Sequence, residues 1–382
     1  VPLAKPYLDD AEAQAAQKTI LSGWVTQGPQ VLEFEKEFSE LVGAKHACAV
    51  TNCTTALHLA LKAVGVRHRD EVITVSYTFV ATANSIRQLG AKPVFVDVNA
   101  TTYNLDPKAI ETAITSKTAA ILVVHQFGMP CNLDAIIEIA KFHNIPVVED
   151  AACAIGSKLK TDNTWENIGK PHGSIACFSF HPRKVITAGE GGMITTNDPE
   201  LDRRVRLWRH HSMSISDLNR SNSENIIFDS FEETGYNYRM TDIQAAILRQ
   251  QLLKLPEIIQ SRRRLADRYN KKLAKKSDII TPIESEKIQS NWQTYSVILP
   301  AWADQMKVMQ MMLDEGVQTR RGTICCHLEN AHSKTAIIHN MATSEYLLGH
   351  SIALPLYPQM SDHDQDYVVD TLLKSIEACK TQ

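Results

Sequence analysis

The stretch "SIACFSFHPRKVITAGEGGMITTND", residues 174–198, decides how this chain is read. It opens as an apolar strand and breaks into polar residues around Lys184. It then passes through Gly189, Gly191 and Gly192 and returns to strand character. A lysine between two strands is ordinarily a solvated loop residue. Glycines bunched behind it permit backbone shapes and close approaches that other residues resist. What Lys184 does depends on which other strands end beside it.

Upstream, short apolar runs alternate with helical patterns. "HACAV" (46–50) precedes "TTALHLALKAVG", "EVITVS" (71–76) precedes "FVATANSIRQLG", and "PVFVDV" (93–98) follows. "AAILVVH" (119–125) then precedes "LDAIIEIAKFHN", and "IPVVED" (145–150) comes next. Nearly continuous apolar strands separated by helices indicate βαβ units around a mostly parallel sheet covered on both faces. After residue 245 the texture changes. "DIQAAILRQQLLKLPEIIQSRRRLADRYNKKLAKK" reads as a long helix interrupted at Pro256, with Arg262, Arg263 and Arg264 on a solvated face. A strand, "TYSVILP", and a helix, "QMKVMQMMLDEG", follow. The expected division is a large α/β domain over 1–245 and a smaller C-terminal α+β domain over 246–382.

With 40 Lys and Arg against 43 Asp and Glu, the formal charge is −3, which argues against nucleic acid or an anionic membrane as partner. No apolar run approaches the ~18 residues of a membrane span, and "VPLAKPYLDD" lacks signal-peptide character. None of the eight cysteines forms a CxxC pair. Reduced, mostly buried thiols in a cytoplasmic protein are therefore expected, rather than disulfides or a metal site.

Open α/β sheets bind ligands at the carboxyl ends of their strands. After "HACAV" stands "TNCTTALHLAL", where Thr54 and Thr55 open a helix whose free amides would suit a phosphate, or simply form an N-cap. After "EVITVS" stands Phe79, placed to cover a flat ring or to pack in the core. Asp150 ends an apolar strand; it needs a positive partner there, unless it is only a helix cap. Ser179 and Lys184 follow "SIACF". A lysine amine condenses with aldehydes, and a carboxylate facing a protonated pyridine nitrogen is the electronic partner of pyridoxal 5'-phosphate (PLP). No G-x-G-x-x-G follows the first strand, which argues against a nicotinamide cofactor.

These blocks, with "LSGWVTQGPQVLEFEKEF", "VEDAACAIGS", "GYNYRMTDIQAAI" and "LPLYPQM", resemble the DegT/StrS family of PLP-dependent sugar-nucleotide aminotransferases across nearly the whole chain. The resemblance implies fold type I of the PLP enzymes. It implies that Lys184 attaches the cofactor, Asp150 meets its ring nitrogen and Phe79 stacks on it. Cys53 (through its backbone), Thr54 and Ser179 would hold the phosphate, and Asn237 would reach the cofactor phosphate of a neighbouring subunit. A homodimer with shared active sites follows. Glutamate would be the amino donor and a nucleotide-linked ketosugar, a 4-keto-6-deoxyhexose, the acceptor. His181 and Arg239 lie in the same blocks and suit either substrate contact or structure.

The chain departs from the family pattern at three places. Cys53 stands where glycine is usual, Cys153 where histidine or glutamine is usual beside the cofactor's phenolic oxygen, and Ser212 where glycine is usual. Three other readings share this fold: a sugar dehydratase, a non-catalytic regulatory protein and a desulfurase. Dehydratases of the family generally carry histidine in place of the lysine, so Lys184 argues against the first.

Overall fold

The computed structural model describes residues 1–215, 225–226, 228–231, 233–274 and 278–380. The strands are β1 (His46–Val50), β2 (Glu71–Val75), β3 (Lys92–Val96), β4 (Thr118–Val124), β5 (Val147–Asp150), β6 (Lys158–Thr161), β7 (Thr164–Asn167), β8 (Ile175–Ser179), β9 (Gly192–Thr196), β10 (Ile288–Gln289), β11 (Tyr295–Ile298), β12 (Arg320–Arg321), β13 (Ile337–Ile338) and β14 (Ser351–Leu354). The α-helices are α1 (Asp10–Leu21), α2 (Pro29–Val42), α3 (Cys53–Ala63), α4 (Val80–Gln88), α5 (Leu133–Phe142), α6 (Pro199–Arg209), α7 (Asp242–Leu273), α8 (Gln305–Asp314), α9 (Ala342–His350) and α10 (Asp362–Glu377).

An eight-stranded sheet runs in the order β1-β9-β8-β5-β4-β2-β3-β13. Only β9 opposes its neighbours: it is antiparallel to both β1 and β8, and the remaining pairs are parallel. The carboxyl ends of β1, β2, β4, β5 and β8 therefore share one edge. Alternation along each strand feeds two cores. Ala47 and Ala49 of β1 join Phe34, Phe38, Phe178 and Phe180 on one face. Cys48 and Val50 join the buried Ala56, Leu57, Leu59 and Leu61 of α3 on the other.

A second core packs α8, α10 and the later half of α7 on the antiparallel sheet β11-β14-β12. The helix α7 serves both lobes: Ala245, Leu248 and Leu255 lie in the first core, and Leu265, Tyr269 and Leu273 in the second. The chain's first residues also join the second lobe, where Leu356 N donates to Leu3 O and Gln318 N to Val1 O.

Two expectations fail here. The helix does not break at Pro256; α7 runs through it for 32 residues. An internal proline costs roughly 3 kcal/mol through its missing N–H and a carbonyl clash. Packing on both sides outweighs this. Leu255 and Ile258 are buried, Gln251 Nε2 donates to Tyr7 O and Glu12 Oε1, and Lys254 Nζ bonds Glu12 at 2.7 Å. Nor is Arg262 solvated. It is buried, and its Nη1 donates to the carbonyls of Trp292, Gln293 and Leu356, each at 3.2 Å. Only Arg264 of that triplet is exposed, paired with Asp362. The helix bridges two lobes, and the carbonyls of Trp292, Gln293 and Leu356 meet Arg262 where solvent was expected.

Candidate active site

A cavity of about 570 Å³ opens at the carboxyl edge of the sheet. Cys53, Thr54, Phe79, Asp150, Cys153, Ser179, His181 and Lys184 all line it. Ala353, Leu354 and Leu356 enter from the second lobe.

The α3 end is built by its sequence. Asn52 caps the helix, its Oδ1 accepting from Thr55 N at 2.9 Å. The cap is thus Asn52, and among the described residues no acceptor takes the Cys53 or Thr54 amide. The start of β9 presses against this turn. A Cβ on Gly192 would lie 2.5 Å from Asn52 O and 2.9 Å from Cys53 N, so the last glycine of the GEGG block is a steric necessity.

Asp150 is buried at the end of β5. Its carboxylate accepts from Thr82 Oγ1 at 2.8 Å and Ala152 N at 3.2 Å. Burial pushes its pKa up, against the pull of those bonds and of the Lys184 charge. No helix follows it, so the cap reading of Asp150 does not apply; residues 151–157 form turns. Phe79 is 62% exposed at the start of α4, which excludes the core-packing reading.

Lys184 sits in a loop folded on itself. Its N–H donates to His181 O at 2.8 Å, and Thr187 Oγ1 donates to Phe180 O at 2.7 Å. The amine reaches across to Cys153, with Nζ–Sγ 3.1 Å. Cys153 is held from behind by Asn291, whose Nδ2 donates to Cys153 O and Ile155 O at 2.8 Å each. Burial first, then the Arg183 charge, lowers the His181 pKa, and its Nδ1 accepts from Arg183 N.

Asn237 and Arg239 are elsewhere. Asn237 bridges to His210, and Arg239 bridges to Val50 and approaches His210 Nδ1 at 2.9 Å through Nη1. Neither lines this chain's cavity. Conversely, Thr82, Arg183, Gln293 and Arg320 belong to the site's surroundings without having been singled out in the sequence. Thr82 had a weak signal, one helical turn from Phe79; Gln293 and Arg320 had none.

The donor set suits PLP. It offers unengaged amides at a helix N-terminus for a phosphate, a buried carboxylate short of positive charge for a ring N–H, and a primary amine for an aldehyde. Residues 6–373 match the sequence pattern of the DegT/DnrJ/EryC1/StrS aminotransferase family. The chain belongs to that family. This aminotransferase is PLP-dependent, as the family is. It is 36% identical over 378 residues to the spore coat polysaccharide biosynthesis protein SpsC of Bacillus subtilis, covering 97% of this chain and 96% of that one. Among solved structures it resembles the aminotransferase TlmJ of Streptoalloteichus hindustanus, with TM-score 0.91, 29% identity and 100% of both chains covered. It also resembles the PLP form of the putative sugar aminotransferase Spr1654 of Streptococcus pneumoniae, with TM-score 0.90, 26% identity and 99% of both chains covered. Both fits confirm the expected α/β fold of type I. No helix of the described residues is long and apolar enough to cross a membrane, and no cluster of metal-ligating side chains occurs among them.

Proposed function

We propose that this aminotransferase moves the amino group of glutamate to a nucleotide-linked ketosugar, a 4-keto-6-deoxyhexose, in the cytoplasmic biosynthesis of aminosugars for polysaccharide. The observation that carries the reading is the meeting of Lys184, Asp150 and the α3 N-terminus in one cavity. The likeness to SpsC and Spr1654 supports the sugar acceptor.

When bound, PLP supplies an electron-accepting ring that acidifies the donor's Cα–H. In this reading the α3 amides of Cys53 and Thr54, with Ser179, bind the phosphate. Phe79 would stack on the ring, and Cys153 would stand on the side of Lys184, whose amine it meets at 3.1 Å. Asp150 holds a proton on the ring nitrogen; its buried carboxylate, short of positive charge, favours that partner. Lys184 would hold the cofactor through its amine, and that amine, once free, would serve as the base that moves the donor's Cα proton. His181 and Arg239 contact substrate. Asn237 of each subunit serves the other subunit's cofactor phosphate, which accounts for its absence from this chain's cavity, and an isologous homodimer completes two sites at once.

The test is direct. Protein loaded with PLP is incubated with glutamate and 4-keto-6-deoxy sugars linked to UDP, dTDP or GDP, and products are read by mass spectrometry. Aminosugar and 2-oxoglutarate should form together with one of the three, and Lys184→Ala should form neither. No aminosugar from any series, with protein that binds PLP, refutes the proposal.

A further inference from the structure

Cys153 is the thiol that a solute entering the cavity can reach. Six of the eight cysteines are buried, and Cys379 lies beyond α10, outside the cavity lining. Cys53 also lines the cavity, but it is buried at the start of α3. Burial pushes its thiol well above the ordinary range, where it stays protonated and inert. Cys153 is half-buried, and it stands where the family pattern has histidine or glutamine, neither of which carries a thiol. The aminotransfer reading gives its sulfur no step.

That sulfur is in contact with a primary amine, since Lys184 Nζ donates to Cys153 Sγ at 3.1 Å. Separate parts of the fold hold the two groups together. Asn291 Nδ2 fixes Cys153 O at 2.8 Å, and the opposite side is close-packed, because a Cβ on Gly128 would lie 3.0 Å from that same oxygen. The Lys184 N–H is tied to His181 O at 2.8 Å. Both backbones are therefore fixed, and motion of the flexible lysine stem is enough to close the remaining gap. A nucleophilic amine against a reachable thiol is the arrangement in which nitrogen traps an oxidised sulfur.

We propose that Cys153 and Lys184 form a peroxide-sensitive pair, in which oxidation joins them by a sulfur–nitrogen bond whenever the Lys184 amine does not carry the cofactor. That condition rests on the reading that Lys184 attaches PLP. The joining consumes one hydrogen peroxide per site. The Cys153 thiolate attacks a peroxide oxygen, the O–O bond breaks, and the departing hydroxide takes up the thiol's proton as water. Sulfur has then lost two electrons to the peroxide and is a sulfenic acid. The neutral Lys184 amine attacks that sulfur, the S–O bond breaks, and hydroxide leaves with an amine proton as a second water. Small thiols reverse the bond. One opens it, freeing the amine and leaving a mixed disulfide on Cys153, and a second releases Cys153 while the two small thiols leave as a disulfide. While joined, the amine cannot hold PLP; while PLP occupies the amine, the joining cannot occur.

The test treats the full-length protein, PLP-loaded and cofactor-free, with hydrogen peroxide. Digestion without reductant and mass spectrometry then map the products. The cofactor-free protein should yield the Cys153 and Lys184 peptides joined, lighter than their sum by two hydrogen atoms. Its capacity to bind PLP, read by absorbance, should fall in proportion to the joined fraction and return after dithiothreitol. The PLP-loaded protein should yield the joined peptides only in trace. Cys153→Ser should abolish the joining, and Cys53→Ser should leave it. In the wild-type protein, a disulfide between Cys153 and Cys53, oxidation of Cys153 to sulfinic acid without joining, or an unmodified Cys153 each overturns the proposal. Equal joining with and without bound PLP overturns its dependence on the cofactor. Borohydride treatment of the loaded protein separates the two readings. If it fixes PLP on a lysine other than Lys184, the attachment reading fails, and the peptide map of the cofactor-free protein still decides the pair.

Discussion

Replacing Gly192 by alanine separates steric from conformational reasons for a glycine. Gly192 has an ordinary extended backbone, so alanine there meets no φ penalty. Its Cβ, however, would lie 2.5 Å from the Asn52 carbonyl and 2.9 Å from the Cys53 amide. Both neighbours are backbone, so no side chain can swing aside. The α3 N-terminus must retreat from β9 by about 1 Å to restore ordinary contact, in an interior packed as densely as a crystal. Overpacking of that kind costs roughly 1–3 kcal/mol. The amides of Cys53 and Thr54 move with the helix. A displacement of about 1 Å should weaken PLP binding by roughly tenfold to a hundredfold, because charge-assisted bonds to the phosphate are short and directional. Gly189→Ala is the internal control. Its φ of +85° strains any side chain, yet its Cβ meets nothing within 4 Å. It should lose about 1 kcal/mol of stability and keep PLP affinity within about twofold. Thermal unfolding of the cofactor-free proteins and absorbance titration with PLP measure the two effects. Equal PLP affinity in Gly192→Ala and wild type would refute the reasoning.

Three further outcomes are expected. Burial raises the Asp150 pKa, so the folded cofactor-free protein holds a proton there more tightly than the unfolded chain. Stability should therefore fall as pH rises from about 4 through the folded value; Asp150→Asn should remove that decline while abolishing transamination, as urea unfolding across pH and product assays will show. Arg262→Ala should lose about 3 kcal/mol or more in denaturant unfolding, because three buried carbonyls lose their donor; a loss below about 1 kcal/mol would contradict the bridging role given to it. Mixing inactive Lys184→Ala with inactive Asn237→Asp protein should restore activity, since the mixed dimer places both lesions in one site and leaves the other intact. Subunit exchange without recovered activity rules out shared sites.

The sheet and the strand-end residues were legible in the sequence because both depend on local rules. Burial on two faces forces runs such as "AAILVV", and a parallel sheet puts their carboxyl ends on one edge. Lys184, Asp150, Thr54 and Phe79 each follow such a run, so their meeting in one cavity needed no knowledge of distant contacts. The same local rules misread α7. Pro256 signals a break, and three successive arginines signal solvent. Both signals lost to packing between lobes, which depends on residues more than two hundred positions upstream and about thirty downstream. Likewise nothing near "QTRRGT" reveals that Arg320 lines the same cavity as Lys184. That meeting requires β12 to pair with β14 and the second lobe to close over the sheet edge. Periodicity encodes which face of an element is buried; it carries no information about which distant element covers that face, and only the tertiary structure decides this.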